Sequence, residues 1–144
     1  MKNEPHLDIF DTKAKAQHQA VWLNFKYRIT KKRFSVIEAP KRQWAVVDEA
    51  MSEELGIPFI YDLSLDYRAM NYDDIRHIRM DTEPLPHWEE LMGIFSVVHG
   101  ELLRFILHSN IPIEKLIRYE LAIRGYDKNH HWCGFEKSAE IWLE

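Results

Sequence analysis

The sequence predicts a mainly α fold, a single-domain helical bundle with a C-terminal antiparallel helix hairpin. Three observations carry that expectation. Apolar residues recur at helical spacing through most of the chain. Capping and stop residues bracket those runs, from Thr12 near one end to Gly125 near the other. The composition is that of an ordinary globular protein. Of 144 residues, 46% are hydrophobic and 29% charged, with 5 Gly and 6 Pro, so low complexity and disorder are excluded. A chain of this length can bury a real core. Short extended segments near Phe34–Glu38 and Ile57–Tyr61 are compatible with this fold, and an α+β domain with a small sheet is the alternative.

The first helix is capped by Asp11 or Thr12 and runs to about Ile29. Ala14, His18, Val21, Trp22, Phe25 and Ile29 share one face, and most lysines lie on the other. Lys31, Lys32 and Arg33 suit a helix C-terminus, where cations complement the dipole. From Phe34 to Ala50 two patterns compete. The stretch reads either as a β-hairpin or as an extended Phe34–Glu38 followed by a helix. Trp44, Val47, Met51 and Leu55 fall on one helical face, and Gly56 then Pro58 form a terminator. The helix from about Lys41 to Leu55 is therefore favoured.

Ile57 to Ala69 has no clean period. Asn71 or Asp73 caps a short helix through about Met80, and Pro84 and Pro86 keep the next connector extended. A long helix then runs from about Pro86 to His108. Trp88, Leu91, Met92, Phe95, Leu102, Leu103 and Ile106 share its apolar face, with His99 in the middle. Gly93 and Gly100, one heptad apart, line one flank as a groove that another helix can approach. After a turn near Asn110, Pro112 opens a helix that Gly125 ends. Tyr126–Gly134 reads as a loop. A last short helix from about Phe135 places Phe135, Ala139 and Trp142 on one face. No repeat or domain boundary is visible, so 1–144 is read as a single domain.

The leading candidate site is His99, Glu120 and Arg124. In a tight hairpin His99 and Glu120 stand at one level, and Arg124 follows Glu120 at i+4. A carboxylate can fix the tautomer of an imidazole and raise its pKa, as for many general bases. In a catalytic role His99 is the base, Glu120 its orienter and Arg124 an anion anchor. The structural role weighs more, because any buried histidine needs a partner. Truncating Glu120 in such a buried cluster costs on the order of 3 kcal/mol.

His131 and Cys133 are the weak metal candidates. On an extended segment they point to the same side while His130 points away, and further ligands are needed from distant histidines such as His6, His18, His87 or His108. Cys133 as a nucleophile is weaker still, because it needs a nearby cation or helix N-terminus to depress its pKa. Glycine-rich phosphate loops, a nucleophile-elbow serine and a zinc-binding His-Glu-x-x-His are missing, and no cofactor is implied. The acidic pairs Glu53-Glu54 and Asp73-Asp74 diverge on their helices and read as solvated faces.

The formal net charge of -4 hides an asymmetry. From Thr12 to Gln43 nine Lys or Arg face Glu38 alone, whereas from Asp48 to Glu90 twelve Asp or Glu face Arg68, Arg76 and Arg79. Mutual neutralisation on one folded surface weighs more than an anionic partner, because a dedicated nucleic-acid binder is basic overall. The basic Lys13–Arg33 segment, with Trp22, Phe25 and Tyr27 interleaved, keeps nucleic acid as an option marked by steep salt dependence. The longest uncharged apolar run, Leu91–Gly100, is too short to span a bilayer, and Met1–Phe10 lacks a signal-peptide core. A single cysteine and no internal disulfide point to the reducing cytoplasm.

The function expected is a small cytoplasmic interaction or regulatory protein without catalytic activity. Its partner is another protein or a second copy of the chain. The Gly93/Gly100 flank or the basic N-terminal face is the expected contact surface. The alternatives are a small enzyme built on His99, Glu120 and Arg124, and a nucleic-acid binder.

Overall fold

The computed structural model describes residues 4–61 and 65–144. Residues 62–64, inside the aperiodic Ile57–Ala69 stretch, and residues 1–3, inside the leader expectation, lie outside that description. The fold is α+β, the alternative expectation. Helices predominate among the described residues, and three strands form an antiparallel sheet in the order β1-β3-β2. The chain divides into two compact units, Met1–Phe95 and Ser96–Glu144.

In the first unit β1 (Leu7–Phe10), α1 (Lys13–Lys26), β2 (Phe34–Ala39) and β3 (Gln43–Asp48) build the core. The favoured helix over Lys41–Leu55 does not form. Its first half is β3, paired with β2 through Val36↔Val46 and with β1 through Ile9↔Ala45. Only α2 (Glu49–Glu54) is helical there, capped by Asp48. The reason for the difference is burial on both sides. Ala45, Val46 and Val47 are all buried. A central strand of this kind loses the apolar-polar alternation that betrays a strand, and its large residues then match a helical period by coincidence.

Phe34, Val36, Trp44 and Val46 face α1. On the opposite face, Ser35 donates its hydroxyl proton to the Ile60 carbonyl at 2.5 Å, tying the following segment to the sheet. Buried Asp48 ties three chain segments together. Its carboxylate accepts from the His6 and Met51 backbone N–H groups at 3.1 and 2.9 Å and lies 3.4 Å from Lys32 Nζ.

α1 begins as expected, with Thr12 accepting from Lys15 N. Its sheet-facing stripe is Ala16, Ala20 and Leu23, opposite to the larger apolar face read from the sequence. Small side chains let the helix lie close on the sheet. Phe25 and Ile29 are exposed instead. α3 (Tyr72–Met80) starts in a capping box, in which Asn71 and Asp74 each accept from the other's backbone N–H. α4 (Pro86–Ser96) follows the connector.

The second unit holds α5 (Gly100–His108), α6 (Ile113–Arg124) and α7 (Phe135–Trp142). The expected continuous helix Pro86–His108 is broken. His99 is extended (φ -68°, ψ 151°) and caps α5 by accepting from Leu102 N at 3.3 Å. Ser96, Val97 and Val98 are poor helix formers, and Gly100 follows them, so a break with a side-chain cap competes well. Gly93 and Gly100 therefore lie on different helices, and their shared flank does not form.

Nor do α5 and α6 pack side by side as a hairpin; α6 packs on α7. The Ser138 hydroxyl lies 3.2 Å from the Leu121 and Tyr126 carbonyls, and Trp142 Nε1 donates to the Tyr126 carbonyl at 2.9 Å. Gly125 ends α6 with φ 82°, and an added Cβ would stand 2.3 Å from the Trp132 ring. Only glycine fits there.

Candidate functional site

α1 places Lys15 and His18 three residues apart on one side of the helix. His18 is buried, 8% exposed, and its Nδ1 is hydrogen-bonded to the Tyr67 hydroxyl at 2.9 Å. The two rings stack with centroids 5.5 Å apart and planes 4° from parallel. Tyr67 is held on a tight turn that Asp66 caps through the Arg68 N–H. Trp88 stands edge-on to both rings, at 5.7 Å from His18 and 5.8 Å from Tyr67. His87 stacks on Trp22 at 4.8 Å. Among the described residues, the buried His87 Nδ1 has no hydrogen-bond partner.

Burial sets the ionisation of the cluster. It pushes His18 below the ordinary imidazole value, partly opposed by Asp74. It pushes His87 down as well, helped by its neighbour His18, and pushes the Tyr67 phenol up. At neutral pH the cluster is therefore uncharged, two imidazoles and a phenol. A neutral imidazole offers one donor and one acceptor, and Tyr67 takes the Nδ1 side.

His18 forms part of the wall of a cleft of about 920 Å³ between the start of α1 and the α3 segment. Three of its lining residues form a strut. Lys15 Nζ lies 2.8 Å from Asp81 Oδ2 and donates to the Glu83 carbonyl at 2.5 Å. The Lys15 hydrogen bond holds the Asp81 carboxyl below the usual carboxylate range.

The residues singled out in the sequence are placed differently. His99 is exposed at the head of α5, with Nδ1 occupied by its capping bond. Arg124 donates through Nε and Nη2 to Glu120 Oε1, at 3.1 and 3.0 Å, on the exposed side of α6. The structure thus brings Glu120 and Arg124 together, and among the described residues no hydrogen bond or ion pair joins them to His99. His131 lies at the edge of ion-pair range from Asp127, and Cys133 points its thiol at the Gly125 and Gly134 carbonyls. No group of three or more His, Cys, Asp or Glu side chains converges among the described residues.

The basic segment is largely engaged inside the first unit. Lys15 meets Asp81, Lys32 meets Asp48 and Arg33 meets Glu49, each joining the basic segment to the acidic one. Lys13 lies over the Trp44 ring at 5.3 Å and Arg28 over Phe25 at 4.1 Å.

On α6, Ile113, Leu116, Ile117 and Ile123 form an exposed stripe, with Glu120 and Arg124 inside it. α5 exposes Leu102 and Phe105. Among the described residues of the second unit only Ala122, Gly125 and Ser138 are buried. No single described helix is long and apolar enough to cross a membrane. No family model matches the sequence, and neither a curated protein nor a solved structure matches it.

Proposed function

We propose that the protein is a small interaction protein without catalytic activity, and that α5 and α6 are its contact element. One observation carries the reading. Two amphipathic helices present large apolar side chains without burying one of them, with Phe105 54%, Leu116 55% and Ile117 56% exposed. Short helices draw most of their stability from covering an apolar stripe rather than from propensity. Burying one such side chain stabilises a complex by roughly 1.5–3 kcal/mol. The occupant we assign is a second copy of the chain. The stripe carries one acid and one base already paired, so it meets a copy of itself without net repulsion, whereas the whole chain carries -4. The reducing cytoplasm is the setting, and the lone Cys133 supports it.

The test is site-specific photo-crosslinking, with the probe at Leu116 or at Lys137 on the exposed side of α7. A band at twice the chain mass from position 116 and none from 137 is expected, with sedimentation showing a concentration-dependent mass that Ile117→Lys abolishes. A monomer at all concentrations with no adduct from Leu116 overturns the reading. An adduct of another mass replaces the second copy by a different protein.

A further inference from the structure

We propose that the cleft between α1 and α3 is a binding site for a small organic cation, an alkylammonium or guanidinium group on an apolar body. The cleft volume of about 920 Å³ falls within the range of small-molecule sites. Its wall holds one buried polar group with capacity to spare. His18 is 92% buried (8% exposed), and its Nδ1 is committed to Tyr67, which does not line the cleft. Among the described residues no hydrogen bond engages its Nε2, which leaves that atom for an occupant.

Charge decides the class of occupant. The lining residues include four acids, Asp11, Asp74, Asp81 and Glu83, against the cations Lys15 and Arg76. Both cations are already paired, Lys15 with Asp81 and Arg76 with Asp73 outside the lining. An anion entering here finds no free cation. Among the described residues, a cation finds the Glu83 carboxylate without an ion-pair partner, Asp11 held by a 3.3 Å contact from Gln43, and a neutral imidazole. Phe10, Ile78 and Met80 supply apolar wall for the body of the ligand. An ammonium donates N–H bonds; a carboxylate accepts them, and so does Nε2 of His18 in the tautomer whose Nδ1–H donates to the Tyr67 hydroxyl. A lysine side chain carries the same head group as a free amine, so the two sources share one chemistry.

The experiment is an NMR titration of the histidine ring signals of the full chain at pH 7.5. Hexylamine and hexanoate are the probes, with Nα-acetyl-lysine methylamide as a third arm. Hexylamine should shift His18 and His77 saturably, and hexanoate should not. Glu83→Gln, at an exposed position, should weaken hexylamine by about fivefold, the effect of losing one partly screened charge contact. Tighter binding of the lysine derivative identifies a peptide side chain as the source, and tighter hexylamine a free amine. Equal shifts from hexylamine and hexanoate, a linear response without saturation, or Glu83→Gln leaving the affinity unchanged overturns the proposal. The wild-type dispersion of the remaining histidine signals shows that the variant is folded.

Discussion

The two units of this chain keep their apolar residues in opposite ways. The first closes Phe34 and Val46 completely between a helix and a sheet and buries Val47 on the sheet's other face. The second leaves Leu116, Ile117 and Phe105 in water and is held by directional bonds around Ser138 and Trp142. The difference separates two meanings of an amphipathic helix. In α1 the apolar stripe records a cover supplied by the same unit. In α6 the stripe stays exposed, and α7 packs on another side of the helix.

The largest test of this contrast pairs one truncation from each unit. Phe34→Ala should cost about 3–5 kcal/mol in denaturant unfolding, as expected for emptying a closed core. Leu116→Ala at low protein concentration should stay within about 0.5 kcal/mol, as at an exposed site. Comparable losses at the two positions would erase the distinction.

A pH series sharpens it further. Burial lowers His18 below the ordinary 6.5 and lowers His87 as well. Folding therefore favours the neutral rings. Their contribution is complete above the unfolded value and is lost as pH falls through the folded values. Thermal unfolding of the first unit should move to lower temperature as pH drops below 6.5, and His18→Gln should flatten part of that slope. An unchanged slope in the variant assigns the acid sensitivity to other groups.

The smallest expected effect concerns the pair first singled out in the sequence. Glu120 and Arg124 are joined in the open, so Glu120→Gln should cost only about 0.3–0.5 kcal/mol, the usual range for an i,i+4 pair. A loss near the 3 kcal/mol of a buried cluster would show that α6 is covered in solution.

Most of the local signals were readable. Thr12 and Asn71 cap helices as their side chains suggest, Gly125 ends α6, and Phe135 opens α7. Most failures involve partners distant in sequence, whereas the break at His99 is local and was hidden by a continuous apolar face. Gln43–Asp48 is a strand because β1 and β2 flank it and both its faces are covered, which its own pattern hides. α1 turns its alanines to the sheet because close approach outweighs side-chain size there. His99 leaves the helix interior because its imidazole can satisfy the Leu102 N–H at a break. The His18–Tyr67 contact joins residues 49 apart, and Tyr67 lies in a stretch without period, so only His18 on its helical face was visible.

Asp48 has a consequence for the order in which the chain becomes structured. Among the described residues β1 pairs with β3 alone, and the His6 N–H waits for a carboxylate 42 residues later. β2 and β3 are neighbours joined by a three-residue turn, Pro40–Arg42, and can pair as soon as both are synthesised. The strand synthesised first therefore has no partner until β3 has been made. Until it docks, the outer edge of β3 is open to any extended segment that arrives sooner.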